Sequence, residues 1–165
     1  PANVVSVSAH LASIFTPEVD DNVKLFLRFE NDVSAVLEFS TNCFVNHPRW
    51  HVSCTEGTVV VENWQCDGKI VKLAENADEM SWADEIVYTA AGPTRTMAPR
   101  PAHTTQELDL PKEQKNWAEY YRNIIACLDG KAELIVKPAQ CLRVMKLIDL
   151  AFQANETGCS ISCNI

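Results

Sequence analysis

The first part of the chain alternates apolar and polar residues, the pattern of a β-strand with one buried face. From residue 5 to residue 11 the odd positions are apolar and the even positions are serine or histidine. The same alternation runs from Val23 to Phe29 and from Val33 to Phe39. The pattern therefore predicts a strand over residues 4–15, followed by an antiparallel pair of strands.

The apolar register predicts the turn between those two paired strands. A three-residue loop at Glu30-Asn31-Asp32 sets Leu27 opposite Ala35 and Leu25 opposite Leu37, whereas a two-residue loop would mix the two faces. Three-residue loops usually end with a left-handed residue, a conformation that aspartate tolerates. We therefore expect Asp32 to be left-handed.

More strands follow in the middle of the chain. Residues 50–54 and 58–62 are predicted to form a hairpin around Glu56-Gly57, and residues 69–73 a further strand. Residues 75–111 are interrupted by prolines, so we expect mostly surface loop there. Edge strands are possible within it at the apolar residues Ile86, Tyr88, Leu108 and Leu110.

The period changes from two to that of a helix near residue 114. Apolar residues recur at helical spacing up to Leu128 and Gly130 follows as a stop, which predicts a helix over 114–129. Pro138 is predicted to begin a second helix that ends at Gly158. Its apolar stripe, expected to face the sheet, consists of Cys141, Met145, Ile148 and Phe152.

Strands first and helices afterwards predict an α+β fold: an open-faced, mainly antiparallel sheet with helices packed on one face. At 165 residues with 47% apolar content, the chain is expected to form a single domain, residues 1–165. The other sheet face carries Ile14, Phe26 and Val36, and an open face of this kind tends to find a partner. The alternative is that these are ordinary isolated apolar surface residues.

Charge and cysteine content narrow the classes of protein. The formal net charge of −8 argues against a surface that binds nucleic acid or anionic lipid. No apolar run is long enough to span a bilayer, and the chain does not begin like a signal peptide, so a soluble protein is expected. The seven cysteines are odd in number and scattered, which favours reduced thiols and a cytoplasmic location.

Motifs for catalysis and metal binding are weak. The sequence contains no Gly-x-Gly-x-x-Gly, phosphate loop or Gly-x-Ser-x-Gly. His47 and His51 lie in a strand-like context and Cys159 and Cys163 have no second pair, so no metal site is expected. The carboxylate pairs Asp20-Asp21 and Asp84-Glu85 are interpreted as solvated loop ends. We assign no catalytic and no cofactor-binding residue.

One polar cluster stands out, "STNCFVNHPRW" at residues 40–50. Hydrogen-bond donors, an aromatic ring and a fixed positive charge in one short segment suit a polyol or an acid sugar. Three interpretations stay open for this segment: ligand contact, subunit interface or plain connection. The candidate residues are Asn42, Asn46, His47, Arg49 and Trp50.

Three segments together carry a family resemblance. "VDDNVKLFLRFENDVSAVLEFST", "CTEGTVVVE" and "NWAEYYRNIIACLDGKAELIVKPAQCLRVMKLIDLAFQANETG" resemble the C-terminal part of the glucose-fructose oxidoreductase / inositol dehydrogenase / MocA family. The resemblance implies a C-terminal domain that forms part of a sugar or polyol site and commonly a dimer interface. It also implies an N-terminal Rossmann domain for NAD or NADP, which the 165 residues do not include.

The resemblance carries over no catalytic residue. The family's Glu-Lys-Pro lysine belongs to the N-terminal domain, and Lys137-Pro138 follows a valine at a helix start, so it cannot take that role. Asp32 stands where relatives often have glycine. We expect the parent to be an NAD(P)-dependent oxidoreductase and this chain alone to be inactive and to bind no cofactor. The rival is a free-standing α+β interaction module that assembles through its open sheet.

Overall fold

The computed structural model describes residues 2–75, 86–95, 101–112 and 116–165. It divides into two compact units, one of Pro1–Val45 with Asn116–Ile165 and one of Asn46–Lys115. Each unit contains an antiparallel sheet of four strands, and a two-stranded ribbon is also present. The predicted α+β class with open antiparallel sheets and two helices is confirmed.

The sheet of the first unit has the strand order β10-β1-β2-β3, antiparallel throughout. Its core face carries Val4, Val7 and Leu27, which pack with Ala151 from a helix. The strands are β1 (Val4–Ala12), β2 (Asn22–Phe29), β3 (Ser34–Ser40) and, numbered last in chain order, β10 (Ile161–Ser162).

The β2–β3 turn has the predicted geometry. Leu27 pairs with Ala35 and Leu25 with Leu37, as the apolar register required. The Phe29 amide donates to the Val33 carbonyl at 2.8 Å, which closes the three-residue loop. Asp32 has φ +61°, so the expected left-handed conformation is confirmed.

Strand β1 ends at Ala12, three residues before the predicted end at Phe15. The backbone amides of Ile14, Phe15 and Thr16 donate to the Asp21 carboxylate at 2.7, 2.8 and 2.7 Å. Amides bound to one carboxylate cannot continue a strand ladder, so the chain turns instead. Asp21 is buried, and its interpretation as a solvated loop end is therefore wrong.

The long helix α2 (Pro138–Thr157) packs against β1. Its predicted limits are confirmed: Pro138 is its first residue, and Gly158 follows it at φ +65°. Its start is capped because the Lys137 amide donates to the Gln140 side-chain oxygen at 2.8 Å.

The side of α2 that faces the sheet differs from the prediction. The buried residues are Ala151 and Ala154, with Leu147 and Leu150 packed on the same core. The predicted stripe of Cys141, Met145, Ile148 and Phe152 is exposed. Small alanine side chains let the helix approach β1 closely, and this selected the less bulky side.

The shorter helix α1 (Ala118–Leu128) has no buried residue, although its apolar spacing predicted a face against the sheet. Its Asn123 orders the segment that follows. The Asn123 side chain donates to the Glu133 carbonyl at 2.8 Å and accepts from the Ile135 amide at 2.9 Å.

The second unit contains the predicted central hairpin. Its sheet has the order β4-β5-β6-β9, and β7 pairs with β8 in a separate ribbon, so residues 86–109 contain more strand than expected. Gly57 is required by close packing, because a Cβ there would lie 2.5 Å from the Val71 carbonyl oxygen. The strands are β4 (Trp50–Ser53), β5 (Gly57–Val61), β6 (Gly68–Leu73), β7 (Ile86–Thr89), β8 (Gly92–Arg95) and β9 (Thr105–Asp109).

The predicted carboxylate pair Asp84-Glu85 lies outside the described residues.

Candidate functional site

The predicted polar segment 40–50 divides between the two units after Val45. Asn42 belongs to the first unit, where it ends the β2–β3 pair. Its side-chain oxygen accepts from Asn22 at 3.1 Å and from the Ser40 hydroxyl, and the Asn22 amide also donates to Ser40 at 3.1 Å. These bonds hold the side-chain oxygen of Asn42 at the end of the β2–β3 pair.

The other four candidates, Asn46, His47, Arg49 and Trp50, belong to the second unit and are all exposed. Trp50 begins β4, pairs with Val61 and is 59% exposed. The Arg49 guanidinium carbon lies 3.1 Å from the centroid of the Trp64 ring. A stacked guanidinium keeps its N–H donors in the plane of the group, directed to the side, where a carboxylate or a hydroxyl can accept them.

Trp64 is the residue that sequence reasoning missed at this site. The β4–β5 pairing places Trp50 opposite Val61, so the residue before β4 and the residues after β5 lie at the same end of the hairpin. The predicted hairpin around Glu56-Gly57 already implied that these residues lie close together. The result is an exposed edge with Arg49 stacked on one indole and Trp50 beside it in sequence.

The turn after β5 is held by Asn63. Its side-chain oxygen accepts from the amides of Gln65 at 3.0 Å and Asp67 at 3.1 Å, and Cys66 is left-handed at φ +60°. The hydrogen bond from the Asn63 side chain, helped by the charge of Lys112, lowers the pKa of the Asp67 carboxyl. This network fixes the turn that carries Trp64.

The open face of the first sheet carries the predicted apolar pair. Phe26 and Val36 are direct cross-strand partners and are 43% and 75% exposed. Ser8 lies on the other side of Phe26 in the register. The next cross-strand pair on the same face, Lys24 and Glu38, forms an ion pair at 3.5 Å. The face therefore has an apolar centre with charged residues next to it.

Ile14 does not share a strand with that pair. It is 51% exposed and lies in the loop after β1 that Asp21 holds. Because β1 ends at Ala12, the alternation that placed Ile14 on the open face stops before it.

An apolar groove of about 350 Å³ lies in the first unit between the sheet and α2. The Arg143 guanidinium lies at this groove and donates to the Ala2 carbonyl. Its apolar lining includes Val4, Leu27, Phe29, Val33, Val144 and Leu147.

Several features of the residues that the structure describes bear on metal binding and acid–base chemistry. No group of three or more metal-ligating side chains occurs among those residues. Burial raises the pKa of the Cys163 thiol, whose sulfur lies 3.3 Å from the Val4 carbonyl oxygen, so this cysteine is a poor nucleophile. Backbone hydrogen bonds, that from Ile14 foremost, hold the pKa of the Asp21 carboxyl below its ordinary 3.8. Among the described helices, none is both long and apolar enough to cross a bilayer.

Comparison with known proteins agrees with this fold. The sequence model of the GFO/IDH/MocA C-terminal domain matches residues 2–60. An NAD-binding protein from Listeria innocua is similar over 98% of this chain, with 36% identity and a TM-score of 0.80. The family match covers residues 2–60, and the similarity to the Listeria protein extends along nearly the whole chain. A search of curated proteins found no match.

More distant structures share the fold of this chain. The yvaA protein of Bacillus subtilis matches 96% of the chain at 14% identity and a TM-score of 0.71. The WlbA dehydrogenase of Bordetella pertussis, in complex with NADH and UDP-GlcNAcA, matches 98% at 17% identity and a TM-score of 0.59. The chain spans 46% of the Listeria protein, 45% of yvaA and 39% of WlbA, less than half of each.

Proposed function

We propose that this GFO/IDH/MocA domain is the substrate-binding and oligomerisation part of an NAD(P)-dependent oxidoreductase that acts on a sugar, polyol or related CH–OH substrate. The observation that carries the proposal is the 36% identity to a protein named as NAD-binding, of which this chain covers 46%. The similarity extends along 98% of this chain, so the proposed cofactor domain belongs to the remainder of a longer parent chain.

In this proposal the chain supplies one wall of the substrate site. The nicotinamide, held by the rest of the parent, supplies the hydride acceptor or donor when bound. The stacked Arg49 guanidinium and the Trp50 ring fit a hydroxyl-rich or acidic sugar, since one donates hydrogen bonds and the other offers an apolar face. They orient the substrate and transfer no proton, because the chain has no group assigned to that step.

The proposal also covers location and assembly. All seven cysteines are unpaired, which supports a reducing compartment, and we place the protein in the cytoplasm. The exposed Phe26–Val36 pair supports association of two copies through the open sheet face.

The first test compares the chain with its parent. We expect NADH fluorescence titration to show saturable binding by the parent and none by this chain, because no phosphate-binding turn occurs in its 165 residues. Micromolar binding by the chain alone would contradict the proposal. An intact mass for the natural product near 18.4 kDa, the mass of this chain, would favour the rival interaction module.

The second test addresses Arg49 in the parent enzyme. Arg49→Ala is expected to raise KM for the sugar or polyol by about tenfold, since it removes a charged hydrogen-bond donor from the substrate. The value of kcat should change less, because Arg49 transfers no proton. Arg122→Ala removes another exposed arginine, paired with Glu119, and serves as the control. Equal KM values for Arg49→Ala and Arg122→Ala would contradict the assignment of Arg49 to the substrate site.

A further inference from the structure

The open face of the first sheet carries charged side chains in a regular order beside its apolar ones. Three successive cross-strand pairs of β2 and β3 lie on this face, because side chains alternate along a strand and the residues between them belong to the core face. All six side chains are exposed. The pairs are, in order, Lys24–Glu38, Phe26–Val36 (the central pair) and Arg28–Ser34.

Within one copy of the chain, Lys24 and Glu38 form an ordinary surface ion pair. Lys24 Nζ lies 3.5 Å from Glu38 Oε1, and the two side chains are 54% and 40% exposed. Exposed pairs of this kind contribute little to stability, because water competes for both charges. Both side chains therefore keep most of their capacity to attract an opposite charge from another molecule.

A second copy stacked on this face has two aligned arrangements. Sheets that pack face to face commonly keep their strand directions within about 30° of each other, at a separation of about 10 Å. The two-fold axis of a symmetric dimer then runs either along the strands or across them. The two arrangements bring different side chains together across the interface.

An axis along the strands, above the middle of the central pair, places β2 of one copy over β3 of the other. Lys24 then lies over Glu38 of the second copy, and Glu38 lies over its Lys24, so that positive and negative charges alternate. Arg28 lies over the Ser34 hydroxyl of the second copy, which can accept a hydrogen bond from the guanidinium. In this arrangement the face is complementary to itself.

An axis across the strands brings like charges together. It exchanges the two ends of each strand, so Lys24 lies over Arg28 of the second copy and Glu38 lies over Ser34. Like charges that face each other across an interface oppose association, and an unpaired carboxylate loses its hydration there. The charges of this face therefore select the first arrangement.

We infer that Lys24 and Glu38 specify how two copies of this chain pair, each meeting the opposite charge of the second copy across stacked sheets. This inference rests on the proposed function, which assigns the open face to association, and it adds the register of the two copies and the residues that select it. Exclusion of water between the sheets strengthens an attraction that is weak on the exposed face. The apolar central pair supplies contact area, and the charged pair supplies specificity.

The experiment reverses one charge at a time in this chain. Lys24→Glu places four carboxylates at the meeting point of the two copies, and Glu38→Lys places four ammonium groups there. We expect each change to raise the dissociation constant of the homodimer by at least about tenfold, measured by light scattering across a concentration series.

An equimolar mixture of the two variants restores opposite charges across the interface. We expect heterodimers well above the statistical fraction, counted by native mass spectrometry with one variant isotope-labelled, and a dissociation constant close to that of the wild type. Because association requires the folded sheet, the same mixture shows that neither variant has simply failed to fold. The double variant Lys24→Glu/Glu38→Lys should likewise regain the wild-type homodimer.

The matched control is the ion pair of Lys69 and Glu107, which also joins neighbouring strands, β6 and β9, at 2.9 Å on an exposed surface. Lys69→Glu and Glu107→Lys should dimerise as the wild type does and mix statistically. Statistical mixing of Lys24→Glu with Glu38→Lys, or an equal preference for heterodimers in the control pair, would overturn the inference and leave association through the open face intact. A wild-type chain that stays monomeric would refute both this inference and the assembly assigned under the proposed function.

Discussion

At the scale of single residues, Asp21 holds the loop after β1, a role that its local sequence does not indicate. Its carboxylate accepts three backbone amides from the loop after β1, and its own amide donates to the Ala12 carbonyl at 3.1 Å. These amides would otherwise be orphaned donors at the end of a strand. The neighbouring Asp20 is exposed, so two identical residues in sequence have different roles.

We predict that Asp21→Asn lowers the melting temperature at pH 7, because an amide side chain replaces a charged acceptor of three hydrogen bonds. Since the amides lower the pKa of Asp21 below 3.8, its contribution to stability is present above that pH and is lost as the pH falls through the folded-state pKa. The difference in melting temperature between the wild type and Asp21→Asn should therefore become smaller below about pH 4.

The measurement is thermal unfolding by circular dichroism from pH 7 to pH 3, with Asp20→Asn as the control of equal charge change. If the difference in melting temperature between the wild type and Asp21→Asn stays constant across this pH range, the carboxylate charge has no part in holding the loop.

At the scale of elements, the β2–β3 hairpin is governed by local rules and α2 is not. The alternation of apolar residues on two strands determines the pairing of Leu27 with Ala35, because a shift by one residue would expose every core side chain. In α2 the apolar residues are numerous enough to form two stripes. The choice between them depends on how closely β1 can approach the helix, which alanine favours at 151 and 154.

The hairpin turn provides the second prediction. Asp32 has φ +61°, a conformation that costs L-residues roughly 1–2 kcal/mol and glycine little. Asp32→Gly should therefore stabilise the chain by up to about 1 kcal/mol, the gain being reduced by the greater freedom of glycine in the unfolded chain. Urea unfolding measures the change. Asp32→Ala keeps the backbone strain and loses the side chain. An alanine variant that is more stable to unfolding than the glycine variant would therefore contradict the left-handed turn.

At the scale of the whole molecule, the exposed apolar residues lie on surfaces that the chain by itself does not bury. The Phe26–Val36 pair on the open sheet is one surface of the first unit, and the exposed row on α2 is another, formed by Cys141, Met145, Ile148 and Phe152. Isolated exposed apolar residues are common in proteins, but a direct cross-strand pair and a four-residue helical row are contiguous. Contiguous exposed apolar surfaces of this kind are the pattern of an interface.

We predict that the chain forms a dimer in solution and that Phe26→Asp weakens it by at least about tenfold, since it places like charges opposite each other in a desolvated patch. Multi-angle light scattering across a concentration series measures the dissociation. Phe44→Asp is the control, because Phe44 is 98% exposed and lies outside the sheet face. A wild-type monomer at tens of micromolar, or equal dissociation of the two variants, would exclude this face as the interface.

The sequence by itself determined the β2–β3 pair and its register, the left-handed Asp32, the limits of α2 and the family resemblance. These features depend on side-chain alternation, turn chemistry and helix termini, which act between residues close in the chain. The tertiary structure alone decided which stripe of α2 is buried, how Asp21 ends β1, and that Arg49 stacks on Trp64. Each of these features depends on contacts between residues of different elements. The apolar–polar pattern of a single element does not specify such contacts, because several ways of packing the elements together satisfy the same pattern.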